Sequence, residues 1–322
     1  TMRAPISIPR QFSRRNWFPP AVLAAASLIG SLGAADFDIR DRAEFDKIIA
    51  PEAKLQRLAT GMQFTEGPVW IPAQGGYLVF SDIPADELKK WTAKEGLTTF
   101  RKPSRNANGN LLDRQGRLLS CEHSGRRVSR LEKDGSLVTV VDRFGEKRFN
   151  SPNDLAVKSD HTIWFTDPDY GRRGWSRDYG GCYVFRYDPQ TQALTAVARD
   201  FDMPNGIAFS PDERRLYVAD SGQPHHIRVF DVQPGGTLAN GRVFCEIDKG
   251  VPDGIRCDAD GRVWSSAGDG LHIFAPDGKL IGKVLVSETP ANLCFGGADG
   301  RTLFITAQKS LYALPVRVRG AH

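Results

Sequence analysis

One pattern recurs along this chain and limits what it can become. At Asn205-Gly206-Ile207-Ala208-Phe209 a polar residue leads into a short apolar run. A turn at Ser210-Pro211-Asp212, a second apolar run from Leu216 to Ala219 and a closing Asp220 follow. Runs this short read as β-strands that bury no face alone. The same order begins again at Glu66, Asn108, Asn153, Asp253 and Asn292, so six copies start 42, 45, 52, 48 and 39 residues apart. Each carries a turn such as Asp113-Arg114-Gln115-Gly116, Asp258-Ala259-Asp260-Gly261 or Ala298-Asp299-Gly300. A period of roughly 40–50 residues with such turns is that of a four-stranded propeller blade. The predicted fold is therefore all-β, a six-bladed β-propeller over residues 53–318.

The ends of the repeat array say how the ring closes. Residues 53–59 read as an extended segment ahead of the first copy, while the last copy offers strands only through Leu311 to Val318. One strand is missing at each end, and pairing residues 55–59 beside 311–316 removes both exposed edges. Residues 36–52 form an N-terminal extension read as a short helix, with Phe45, Ile48 and Ile49 at helical spacing and Pro51 ending it. Residues 1–35 contain Arg3, Arg10, Arg14 and Arg15 and no acidic residue. Ser13-Arg14-Arg15, an apolar run from Ala21 to Leu32 and the small residues Gly33-Ala34-Ala35 read as a twin-arginine export signal, which implies a periplasmic protein without a membrane span. Of the net charge of +5, those four arginines leave +1 for the rest. So balanced a chain gives no electrostatic case for nucleic acid or an anionic membrane as partner.

Other chemistries are excluded by what is missing. The five cysteines, Cys121, Cys182, Cys245, Cys257 and Cys294, show no Cys-x-x-Cys spacing and read as buried inert thiols, with one pair such as Cys182 and Cys245 left open in an oxidising compartment. No Gly-x-Ser-x-Gly elbow, phosphate loop or His-Glu-x-x-His helix is present.

The chemistry sits at the repeat starts. In a propeller the first strand of each blade lines the central channel, so Glu66, Asn108, Asn153, Asn205, Asp253 and Asn292 converge at one mouth. The set is all oxygen-bearing, with no Lys, Arg, His or Cys. Two carboxylates and several amides in a narrow funnel repel one another and leave lone pairs unmet, and one hard divalent cation answers both needs. Calcium suits this donor set best, with zinc, magnesium or manganese still open. Second strands end at the same mouth, which places Asp82, His123, Asp167, Asp220 and Ser221 on the rim. His123 there is read either as a group that orients substrate or shuttles a proton near neutral pH, or as part of a structural network.

Together, Glu66-Gly67-Pro68-Val69-Trp70, Ser151-Pro152-Asn153-Asp154, Asn205-Gly206-Ile207-Ala208-Phe209, Pro252-Asp253-Gly254 and Cys294-Phe295-Gly296-Gly297 resemble the gluconolactonase, senescence marker protein and luciferin-regenerating enzyme family of six-bladed propellers. The resemblance covers about residues 53–318. It implies a divalent cation held by Glu66, Asn205 and Asp253, with Asn153 completing the site or touching substrate. It also implies Asp253 as the acid/base. In the mechanism read from this mouth, Asn108 and Asn153 fix the substrate, with His123 as a further substrate contact. The expected activity is hydrolysis of a gluconolactone-like sugar lactone. Two other readings stay open at this point: a periplasmic propeller that binds a ligand without catalysis, and a metal-dependent esterase acting on aryl esters or phosphotriesters.

Overall fold

The computed structural model describes residues 37–172 and 177–321, so the export signal expected over residues 1–35 lies outside the described residues. Six four-stranded antiparallel blades surround a channel. The first three comprise Thr65–Ile71 to Gly96–Arg101, Ala107–Leu112 to Leu137–Val141, and Leu155–Val157 to Ala193–Phe201. The fourth runs from Pro204–Phe209 to Leu238–Glu246 and the fifth from Ile255–Cys257 to Leu280–Leu285. In the sixth, Pro290–Gly296, Thr302–Ala307 and Ser310–Pro315 are completed by Gln56–Thr60 from the N-terminal side. That closing strand pairs Gln56 with Ala313, Arg57 with Tyr312 and Thr60 with Ser310, as the unpaired ends of the array demand.

The extension differs from its reading as a helix alone. Phe37–Ile39 adds a fifth strand to blade 5 against Gly282–Val284, and the helix is shorter, Arg42–Ile48. The helix begins where Asp41 caps the Glu44 N–H at 3.2 Å. Phe45 drops onto Gly282, where a β-carbon would come within 2.7 Å of its ring. Phe45, Ile48 and Ile49 then join the core of blades 5 and 6. An open edge beside a glycine therefore turned three residues to strand where helical periodicity alone gave helix.

Elsewhere the core lies between neighbouring blades. Trp164 and Val184 of blade 3 pack with Ile207, Leu216 and Val218 of blade 4, for example. All five cysteines are buried free thiols. The outer turns repeat one device, in which an Asp accepts the N–H two residues ahead: Asp113 from Gln115, Asp258 from Asp260 and Asp299 from Arg301. Among the described residues no helix is long and apolar enough to cross a membrane.

Candidate functional site

Each second strand ends opposite the start of its first strand, with Thr65 facing Asp82, Ala107 facing Glu122 and Pro204 facing Asp220. Three of these terminal carboxylates hold the loop that delivers the repeat-start residue. Asp82 accepts the N–H groups of Gln63 and Phe64, both at 3.1 Å, and Asp167 those of Asn150 (2.7 Å) and Ser151 (2.8 Å). Asp220 does the same for Asp202 (3.1 Å) and Met203 (2.8 Å). These rim aspartates are spent on backbone, which makes them supports of the mouth and poor candidates for a base.

A second layer fixes the inner strands to one another. The Ser81 hydroxyl donates to the Asn108 carbonyl at 2.7 Å, Thr166 to the Asn205 carbonyl at 2.7 Å, and Ser266 to the Ala291 carbonyl at 2.7 Å, each reaching the next blade. Backbone bonds run the same way, from Gly109 N–H to Asn153 O (2.8 Å), Gly206 N–H to Asp253 O (3.1 Å) and Gly254 N–H to Ala291 O (2.8 Å). The glycines permit this approach. A β-carbon on Gly67 would stand 2.0 Å from the Asn108 carbonyl oxygen, and one on Gly206 2.3 Å from that of Asp253. The glycine after a repeat-start residue thus serves close contact between blades.

The six repeat-start residues line the mouth as their spacing requires. Glu66, Asn108, Asn153, Asn205 and Asn292 are buried, and Asp253 keeps a partly open face. Glu66 Oε2 accepts from the Asn292 amide at 2.9 Å and from the Gly67 N–H at 2.5 Å. Burial, then the charges of Asp253 and Asp154, push the Glu66 carboxyl well above the ordinary range. Asp253 is pushed up to about 7 by burial and then by Asp154, against a hydrogen bond from Asn205. Ser221, which takes the Asn205 amide at 2.9 Å and donates to the Pro252 carbonyl, sets the orientation of Asn205 between these groups. The Asn153 backbone is fixed on both sides, its carbonyl by the Gly109 N–H and its own N–H by the Thr166 carbonyl at 2.9 Å.

Asn108 and His123 form a pair. The Asn108 amide donates to His123 Nε2 at 3.2 Å, so that nitrogen is the acceptor and the ring proton sits on Nδ1. Burial lowers the His123 pKa to about 4, which keeps the ring neutral at neutral pH. The Asn108 side-chain oxygen is buried without a hydrogen-bond partner.

Would this mouth suit a divalent cation? Two buried-mouth carboxylates, Glu66 and Asp253, both raised by burial and by the charge of Asp154, with amide oxygens around them and an orphaned Asn108 oxygen, form a hard, oxygen-only donor set, and the residues fit. A different cluster, Asp248, Asp269 and His272 on blade 5, is the one group among the described residues with three or more His, Cys, Asp or Glu ligand atoms within 4.8 Å of one another. Its centre is taken by a lysine: Lys283 Nζ lies 2.7 Å from Asp248 Oδ1 and 3.1 Å from Asp269 Oδ2. An ammonium already supplies the positive charge there.

Two charged residues at the channel were not singled out in the sequence, Asp154 and Arg256. A signal was present. Asp154 stands where four other copies carry glycine (Gly67, Gly109, Gly206, Gly254), and Arg256 interrupts an apolar inner strand. Arg256 also lines an apolar cavity of about 230 Å³ toward the far end of the inner strands, with Trp70, Leu111, Phe209 and Phe295.

Comparison with known proteins places this geometry. Residues 64–309 match the SMP-30/Gluconolactonase/LRE-like region. A gluconolactonase of Zymomonas mobilis is 32% identical over 96% of this chain and 98% of its own length. A solved gluconolactonase structure from Xanthomonas campestris is 34% identical, covers 89% of this chain and 96% of its own, and superposes with a TM-score of 0.84. A luciferin-regenerating enzyme structure, 17% identical with a TM-score of 0.72 over 83% of this chain and 97% of its own, shares the fold.

Proposed function

The chain belongs to the SMP-30/gluconolactonase/LRE-like family, and we propose that it hydrolyses a gluconolactone-like sugar lactone to the aldonic acid with a divalent cation, calcium first, in its channel mouth. Calcium is preferred to zinc because the mouth offers oxygen and no imidazole or thiolate. The observation that carries the reading is the meeting of Glu66 and Asp253 in a mouth otherwise lined by amides, each carboxyl held in a high-pKa state by burial and by neighbouring negative charge.

Glu66, Asn153, Asn205 and Asp253 would hold the ion, which when bound polarises the lactone carbonyl and stabilises the charge that develops on its oxygen. The remaining work belongs to the chain. The Asn292 amide and the Gly67 N–H fix one oxygen of Glu66, and Ser221 fixes Asn205, so the mouth keeps its shape between turnovers. Asp253 takes a proton from the attacking water and returns it to the ring oxygen as the ester bond opens. Asn108 directs its free oxygen at a sugar hydroxyl, held at that angle by neutral His123. Residues 53–318 are the catalytic unit in this reading, and Arg14-Arg15 with the apolar run after them would send it to the periplasm.

The test is pH-stat hydrolysis of glucono-1,5-lactone by chelated protein with and without added calcium. Hydrolysis that returns only with the cation supports the reading, and equal rates under both conditions refute the metal dependence.

A further inference from the structure

Asp154 and Arg256 face each other across the channel, from blades 3 and 5, which are not neighbours. Arg256 Nη1 donates to Asp154 Oδ2 at 2.9 Å and Nη2 reaches Oδ1 at 3.5 Å, joining residues 102 apart in sequence. The Asp154 side chain is 1% exposed and that of Arg256 13%. A second bond from Nη1, to the Ile255 carbonyl at 2.7 Å, and one from the Leu155 N–H to Asp154 Oδ1 at 2.9 Å hold both groups in place. A buried pair of this kind is poor value for stability, because a well-packed apolar pair of the same volume does as well or better. Its position suggests another role. Asp154 directly follows Asn153, and Arg256 lies three residues beyond Asp253. A β-carbon on Gly109, the residue after Asn108, would lie 2.6 Å from Asp154 Oδ1, so the carboxylate packs against the strand start that carries Asn108.

We propose that the Asp154–Arg256 ion pair balances the charge of the cation site, Arg256 cancelling Asp154 so that the mouth presents the two net negative charges of Glu66 and Asp253 and is matched to a divalent ion. The inference rests on the cation reading above. Without Arg256 the mouth would carry three uncompensated carboxylates and favour a trivalent ion. Without Asp154 a bare guanidinium would repel any cation. The two partners therefore act on cation affinity with opposite sign, which a purely structural pair does not.

Calorimetric titration of chelated protein with calcium, and separately with terbium, reads this directly. Asp154→Asn should weaken calcium binding roughly tenfold or more, and Arg256→Gln should tighten it by a similar factor, with terbium gaining more than calcium. The neutral double variant Asp154→Asn/Arg256→Gln should return to within about threefold of wild type, since the charges it removes cancel. Should either single variant fail to fold, Arg256→Lys keeps the charge and should also stay within about threefold. Weakening in both single variants, or a double variant or Arg256→Lys as weak as Asp154→Asn, overturns the charge balance while leaving the cation site standing. Wild-type protein that binds neither ion overturns the cation reading itself, and this inference with it.

Discussion

Adding a single methyl group at Gly206 should separate two blades and disable the mouth. A β-carbon there would lie 2.3 Å from the Asp253 carbonyl oxygen, 2.6 Å from the Ile255 nitrogen and 3.0 Å from the Gly254 carbonyl carbon, all of them backbone. None of these turns aside as a side chain would, so blades 4 and 5 must part by about 1 Å to reach ordinary contact. Overpacking of this kind costs about 1–3 kcal/mol. Loss of the 3.1 Å bond from Gly206 N–H to Asp253 O adds about 1 kcal/mol. At about 2–4 °C per kcal/mol in a domain of this size, Gly206→Ala should melt roughly 5–10 °C below wild type. Asn205 and Asp253 move with the strands, and a displacement of about 1 Å at a reacting centre costs roughly a hundredfold in rate. Thermal denaturation and lactone turnover on the same preparation read both effects. Gly61→Ala is the control, since Gly61 has φ of 97° and no neighbour within 4 Å of a new β-carbon, so it carries strain without contact and should leave turnover unchanged. A Gly206→Ala protein with wild-type melting and turnover would refute the close-approach account of the repeat glycines.

Asp253→Asn keeps shape and an amide oxygen but removes a charge and the base, so calcium affinity by calorimetry should fall, and turnover should drop at least roughly a hundredfold and stay low in saturating calcium; full rescue by the ion would leave Asp253 a ligand only. His123, with its pKa lowered to about 4 in the folded protein from the ordinary 6.5, takes up its proton first in the unfolded chain. Stability present above pH 6.5 should therefore be lost as pH falls toward 4, by about 3 kcal/mol. In urea melts across that range His123→Gln should show a correspondingly flatter decline, and an unchanged one would contradict the buried neutral ring. Replacing Arg14 and Arg15 with lysine should leave the protein in the cytoplasm on fractionation, and undiminished periplasmic recovery would exclude twin-arginine export.

The propeller was legible because one polar-strand-turn-strand pattern recurs six times, and a repeat fixes blade number and ring closure without knowledge of any single contact. The repeat-start residues were legible for the same reason, since equivalent positions of equivalent strands must meet at the axis. Contacts between blades were not, because they belong to no single copy. Nothing within Asn205-Gly206 says that the glycine faces the Asp253 carbonyl, and nothing within Pro252-Asp253-Gly254-Ile255-Arg256 says that the arginine reaches Asp154 across the channel. The strand Phe37–Ile39 was missed likewise, because the edge it completes lies more than 200 residues away at Gly282–Val284. The protonation state of the histidine was not legible either. Burial and the Asn108 amide, neither visible in the sequence, keep it neutral.

The central claim is that an ion-bearing mouth built on Glu66 and Asp253 opens sugar lactones, and titrating chelated wild-type protein with calcium while following glucono-1,5-lactone hydrolysis by pH-stat tests it most directly. The account predicts negligible enzymatic rate without the ion, with activity rising to saturation at about one bound calcium per chain. Full activity in excess chelator, or stoichiometric calcium binding with no lactone hydrolysis, would contradict it.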